Sequence, residues 1–226
     1  MAKVLDRPTT ATYSARYNYS VVRDLLPPGD AVELLDDDCV VVPDLPPERL
    51  DVVYQQVCDA FPENLRVEII NGRIVVNPMP TINHAKTVNE LQSRLNETAR
   101  RRGWHVLQNI KLHFGPQSDR AIPDLSVISD NARMWGDDEV FSDDALLAVE
   151  VVSKSSIRND HLHKPRAYAG GGVPLYLIVD PFDRTARLFS MPKDGRYAAE
   201  TGVRLGEPLE LPAPWEITLD TTGLTP

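Results

Sequence analysis

The sequence predicts an α/β fold, and three observations predict it. A stripe of helical period at Val88, Leu91, Leu95 and Ala99 precedes three apolar or alternating runs, Trp104–Phe114, Asp124–Ser129 and Ala145–Val152, with no helix-length spacing between them. A second helical stretch, His161–Ala169, stops at Gly170-Gly171-Gly172 and leads into strand-like runs at Leu175–Val179 and Ala186–Ser190. Upstream, Asn71-Gly72 between two β-branched runs marks a hairpin.

In chain order, residues 1–45 show little sustained periodicity and contain Pro27-Pro28-Gly29 and the acidic run Asp36–Asp38, which predicts an extended, partly ordered arm. Pro46-Pro47-Glu48 opens a short helix with Leu50, Val53, Tyr54 and Val57 on one face, ending near Pro62. Val67-Glu68-Ile69-Ile70 and Arg73-Ile74-Val75-Val76 are the hairpin strands. Asn83 is placed to cap the next helix and Gly103 to end it. The resulting order is helix, three strands, helix, two strands. At 226 residues the chain suits one catalytic domain with a smaller addition. The division predicted is an arm over 1–45, a main domain over 46–200 and a C-terminal extension over 201–226.

A charged fraction of 25% and a hydrophobic fraction of 42% are those of a globular protein, and no apolar run is long enough to span a bilayer. The first ten residues lack a secretory pattern, which points to the cytoplasm. Cys39 and Cys58 form no CxxC pair, so both are read as free thiols and no zinc site is expected. The net charge of −9 opposes a protein that coats nucleic acid non-specifically. Residues 1–60, with five Lys/Arg and eleven Asp/Glu, account for −6 of it, leaving −3 for the other 166.

Two carboxylates stand at the ends of apolar strands. Pro123-Asp124 opens one run, and Glu150 closes the stretch Ala145-Leu146-Leu147-Ala148-Val149 on the next. Desolvating such an acid is costly unless it is paired, hydrated or bound to a cation. Mg²⁺ suits the pair, because it takes one or two carboxylates with waters and phosphate oxygens. The residues alone leave other readings open. An Asp after Pro caps turns, a Glu at a strand end is often solvated, and Lys164 with Asp160 at i, i+4 reads as a surface pair worth ~0.3–0.5 kcal/mol. Asp180-Pro181 reads as a turn, and His161 and His163 face apart on a helix. The cluster Arg100-Arg101-Arg102 suits either a phosphate backbone or a helix C-terminus.

Together, Val67-Glu68-Ile69-Ile70-Asn71-Gly72, His84, Pro123-Asp124, Glu150-Val151-Val152-Ser153, Asp160 with Lys164, Tyr168-Ala169 through Gly172-Val173-Pro174, and Val179-Asp180-Pro181 are specific. From about Arg66 to Tyr197 the chain resembles the Uma family of putative restriction endonucleases, a bacterial branch of the PD-(D/E)xK nucleases. The resemblance implies a PD-(D/E)xK restriction-endonuclease-like core, with a mixed central β-sheet flanked by helices. It implies Asp124 and Glu150 as catalytic metal ligands, the Val151 carbonyl as a further ligand, Lys164 beside the attacking water, Glu68 as an additional acidic member and His84 as a further candidate. Val152 stands where an ExK motif has lysine, so the lysine has to come from elsewhere: Lys164 resembles the family's migrated lysine, and Lys154 is second choice. Pro165 requires the helix to begin near Lys164.

The function implied is a Mg²⁺-dependent endonuclease, with Mn²⁺ as a substitute, acting on nucleic acid, DNA by family analogy. A homodimer is the prior for a soluble oligomer. The competing reading is a catalytically silent nuclease-like module that binds nucleic acid or a protein partner. A third, hydrolysis of a nucleotide second messenger, needs a closed pocket with a stacking aromatic such as Tyr168 or Trp135.

Overall fold

The computed structural model describes residues 10–35, 39–61, 65–78, 80–115, 119–154 and 156–224, so the acidic run Asp36–Asp38, Pro62 and Ser155 lie outside the described residues. The chain divides into two compact units, Met1–Met79 and Pro80–Pro226.

The first unit holds α1 (Thr10–Leu25), β1 (Glu33–Leu35), β2 (Cys39–Val42), α2 (Pro47–Ala60), β3 (Arg66–Ile70) and β4 (Arg73–Asn77). Its strands run β1-β2-β4-β3, antiparallel throughout. Asn71 and Gly72 both take positive φ, 52° and 71°, as a two-residue turn between twisted strands requires. α2 buries Leu50, Val53, Tyr54 and Val57, the face read from the sequence. The expected extended, partly ordered arm is corrected: residues 10–42 supply a helix and two strands. Val22, Leu26, Val40 and Val42 join Val53, Val57, Ile69 and Ile74 in one core. The inward positions of α1 include Ala15 and Asn18, so its sequence carries little hydrophobic signal.

The second unit begins with α3 (Ile82–Arg101), then β5 (Trp104–Gln108), β6 (Lys111–Phe114), β7 (Asp119–Ala121), β8 (Leu125–Ser129), β9 (Met134–Trp135), β10 (Glu139–Phe141) and, after a 3₁₀ turn at Ser142–Asp144, β11 (Ala145–Val151). A π-helical turn, Asn159–His163, runs into α4 (Lys164–Gly170), followed by β12 (Leu175–Asp180), β13 (Thr185–Lys193), β14 (Arg196–Arg204), β15 (Leu209–Leu211) and β16 (Ile217–Leu219). Six strands form a sheet in the order β14-β13-β12-β11-β8-β5, parallel only between β11 and β12. A smaller set runs β7-β6-β10-β9, with β6 and β10 parallel. The sheet is therefore mixed, as expected.

Three boundaries differ from the sequence reading. The run Trp104–Phe114 is two strands in different sheets, because Asn109 turns the chain at φ 56°. Thr81, not Asn83, caps α3, its side chain accepting from the His84 N–H at 3.3 Å. The C-terminal segment is no appendage: Leu209, Leu211, Trp215, Leu219 and Leu224 are buried in the same core as Leu91, Leu95, Val149 and Leu177. That core lies on the face where α3 packs against β5, β8 and β11. Strand alternation turns Leu147, Val149 and Val151 toward it, and so turns Ala148 and Glu150 to the opposite face.

After α4, Gly171 is required for space. A Cβ there would lie 2.0 Å from Phe114 Cδ1 and 2.7 Å from Ser142 Oγ, and Phe114 is fully buried. Gly171→Ala is expected to destabilise the fold by about 1–3 kcal/mol, the range for overpacking a filled core. An unchanged urea midpoint would show that the Phe114 ring yields freely.

Candidate active site

Register places the two strand carboxylates. Leu125 pairs with Val149 across antiparallel β8 and β11, and one more step sets Asp124 opposite Glu150. Directly opposed residues project on one face with Cβ atoms roughly 4.5–5.5 Å apart, and like charges there repel. Both side chains are buried, at 1% and 2% exposure, so water does not screen them. The arrangement calls for positive charge between them.

Each carboxylate has partners. Asp124 Oδ2 accepts from the Val151 N–H at 2.8 Å, and His84 Nε2 lies 3.0 Å from the same oxygen. A carboxylate only accepts, so the His84 Nε2–H is the donor in this contact. Its Nδ1 is buried and has no hydrogen-bond partner among the described residues. Lys164 Nζ donates to Glu150 Oε1 at 2.8 Å, and the Tyr168 hydroxyl donates to the same oxygen at 2.8 Å. Lys164 and Tyr168 are four residues apart on α4, which puts both on the helix face turned to Glu150.

The π-helical turn brings Lys164 to this position. Its amide closes the wide turn onto the Asn159 carbonyl, and Pro165 follows as the second residue of α4. Proline has no N–H for the next carbonyl, that of Asp160; the Tyr176 hydroxyl donates to it instead, at 3.0 Å. Helix thus begins where Pro165 demands, preceded by a turn type common at functional sites.

Asp160 completes the cluster, 1% exposed, with Oδ1 3.2 Å from Lys164 Nζ. Burial pushes its carboxyl above the ordinary 3.8; the Lys164 ammonium and a hydrogen bond with Ser156 oppose the shift, and the charge of Asp124 adds to it. Glu150 and Asp160, both buried, thus share one ammonium. Because the folded state holds the Asp160 proton more tightly than the unfolded chain, this group's contribution to stability is complete below about 3.8 and is lost as pH rises through the raised folded value. Asp160→Asn is therefore expected to flatten the fall in urea midpoint between acid and neutral pH. An equally steep fall in the variant would contradict this.

The structure brings Asp124, Glu150, Val151 and Lys164 together, with the further candidate His84 on Asp124 and with Asp160 and Tyr168 beside Lys164 and Glu150. Lys154 is exposed in its loop. Glu68 is fully buried in the first unit, where Asn77 Nδ2 donates to its Oε2 at 2.5 Å. Asp180 closes a turn, accepting from the Phe182 and Asp183 amides at 2.8 and 3.0 Å, while its Oδ2 lies 2.9 Å from His161 Nε2. Tyr168 is no stacking platform, being fully buried with its hydroxyl on Glu150. Its role was readable from its i+4 spacing to Lys164. The His113 ring, stacked on Trp135 at 4.6 Å and with Nδ1 3.2 Å from Glu139 Oε2, had no sequence signal.

Among the described residues no group of three or more His, Cys, Asp or Glu is spaced to hold a metal ion. The donors at hand are two carboxylates and a main-chain carbonyl. On a strand a residue's N–H and C=O point the same way, so the Val151 carbonyl opens toward Asp124, as its N–H does. All are hard oxygen donors, and Mg²⁺ fills its remaining positions with water and phosphate oxygens. The set fits Mg²⁺.

A mixed sheet flanked by helices, with opposed strand carboxylates beside a helix lysine, defines a restriction-endonuclease-like nuclease fold. The chain belongs to the Uma2 family, described as putative restriction endonucleases, whose model matches residues 52–222. Among solved structures it is similar to a putative nuclease belonging to DUF820 from Anabaena variabilis ATCC 29413. The TM-score is 0.55 and the identity 18%, over 70% of this chain and 88% of that one. No curated protein matches the chain.

Proposed function

We propose that the chain is a Mg²⁺-dependent endonuclease that hydrolyses phosphodiester bonds in DNA. The observation that carries this reading is the buried opposition of Asp124 and Glu150 with a lysine ammonium on one of them. Asp124, Glu150 and the Val151 carbonyl are the proposed metal ligands. Bound there, Mg²⁺ or Mn²⁺ would polarise a phosphoryl oxygen and lower the pKa of a water for in-line attack. Lys164 orients that water and stabilises the negative charge developing on the phosphoryl oxygens. Tyr168 fixes the Glu150 carboxylate, His84 fixes that of Asp124, and Asp160 keeps the ammonium from swinging away.

The test is incubation with supercoiled plasmid and Mg²⁺ or Mn²⁺ beside a chelator control. Nicking that needs the metal is the expected result. A second reading rests on the engagement of Lys164 by two carboxylates: held so, the lysine serves the fold, and the chain is a silent module that binds nucleic acid or protein. No cleavage of DNA or RNA with either metal would favour it.

A further inference from the structure

Basic charge is gathered in one stretch of the chain. Residues 153–204 carry nine Lys/Arg against five Asp/Glu, net +4 in a chain of net −9. Part of that charge borders an open cleft of about 360 Å³ where α4 packs against β13 and β14, lined in part by Arg166, Phe189, Arg196, Tyr197 and Glu200. Glu200 is neutralised by Arg187, whose Nε donates to it at 2.8 Å. Arg166 and Arg196 are exposed and have no carboxylate partner among the described residues. The cleft therefore presents two unopposed guanidinium groups, which suit phosphate oxygens by their fork geometry. Tyr197, half-buried, adds ring surface of the kind on which a sugar packs, with the buried Phe189 ring behind it.

A row of rings packed through the interior measures the separation of this cleft from the carboxylate site. Tyr168, whose hydroxyl rests on Glu150, lies 4.6 Å from the Tyr176 ring, which is 5.9 Å from Phe189, itself 6.0 Å from Tyr197. On a strand rising ~3.4 Å per nucleotide, the cleft is within about five nucleotides of Tyr168. Lys164 and Arg166 share the first turn of α4 two residues apart, so one points to Glu150 and the other outward.

We propose that this cleft seats the phosphodiester backbone of a nucleic-acid strand flanking the scissile bond, with Arg166 and Arg196 on its phosphates. The scissile bond rests on the nuclease reading; the binding is tested apart from it. The full chain, in chelator, is titrated into fluorescent single-stranded and duplex oligonucleotides across a salt series. Arg166→Ala with Arg196→Ala is compared with a control of equal net charge, Arg16→Glu, at an exposed position of α1. The cleft variant is expected to bind at least about tenfold more weakly, with a log–log salt slope shallower by ~1.4–1.8, the loss of two phosphate contacts at ~0.7–0.9 each. The control should stay close to wild type, and both variants should keep the wild-type thermal midpoint. Unchanged affinity in the cleft variant, equal loss in both, or a wild type that binds neither oligonucleotide would overturn the proposal. Displacement by inorganic phosphate or a nucleoside monophosphate at matched phosphate concentration would overturn it in favour of a pocket for isolated phosphate. Plasmid cleavage in parallel separates the two readings: cleft-dependent binding without cleavage sinks the nuclease assignment alone.

Discussion

Asp124→Asn and Glu150→Gln are each expected to lower metal-dependent nicking by about a hundredfold or more, with Asp124→Asn leaving the fold as stable as wild type or slightly more so. The activity loss follows from removing a negative charge that would hold the cation, and with it the stabilisation the cation would give to the developing phosphorane, a kind of deletion that costs roughly a hundredfold to a thousandfold. The stability result follows from the register. The two carboxylates face each other directly on neighbouring strands, buried, and like charges so placed work against folding. Asn keeps an oxygen to accept the Val151 N–H, so no main-chain donor is stranded at about 1–3 kcal/mol. Initial nicking rates for the two variants and the urea midpoint of Asp124→Asn test both halves. A collapse in stability together with activity would mean that Asp124 serves the fold; nicking at wild-type rates would place the chemistry elsewhere or in a contaminant.

What was legible in the sequence is what depends on local pattern. The stripe Val88, Leu91, Leu95, Ala99 and the Asn71-Gly72 turn required only helical spacing and a residue that tolerates positive φ, and both are as read. The face of α2 was likewise visible in Leu50, Val53, Tyr54 and Val57. Where a pattern is weak or tertiary packing decides, the reading fell short. The short strands β7, β9 and β10, two or three residues each, carry too little pattern to be read alone, and β10 is a strand through parallel pairing with the distant β6. The C-terminal strands read as an extension because nothing local shows that Trp215 enters the core. At the site, the position of Lys164 was foreshadowed by Pro165, but its burial depends on the π-helical turn before it, and that turn is set by the Tyr176 hydroxyl on another strand. The surface pair imagined for Lys164 and Asp160 is instead almost wholly enclosed, at 5% and 1% side-chain exposure. Periodicity cannot distinguish those cases, because the covering elements come from β11 and β12.

Lys164→Met is expected to have the largest effect on both stability and chemistry. Methionine fills similar space, but the substitution leaves Glu150 and Asp160 buried without their shared cation. Breaking a buried pair from one side costs about 3–5 kcal/mol, because the remaining charge has lost its compensation but not its desolvation penalty. The deficit has a definite pH signature. Deprived of the ammonium, the buried carboxylates hold protons more tightly in the folded state than in the unfolded chain, so the folded variant loses stability as pH rises and regains it as pH falls toward the ordinary carboxylate range near 4. The gap in urea midpoint between wild type and variant should thus be widest near neutral pH and should narrow with acidification. A gap independent of pH would mean that packing, not charge, is what Lys164 supplies. Lys164→Arg separates fold from chemistry: it retains the positive charge and should recover much of the stability, whereas its planar fork cannot put a single donor where Nζ lies against Glu150 Oε1, so nicking should stay low. Lys154→Ala, at an exposed loop position, should change neither. The reverse pattern, with nicking lost in the Lys154 variant and kept in Lys164→Arg, would move the catalytic lysine to the loop and leave Lys164 as the counter-charge of two buried acids.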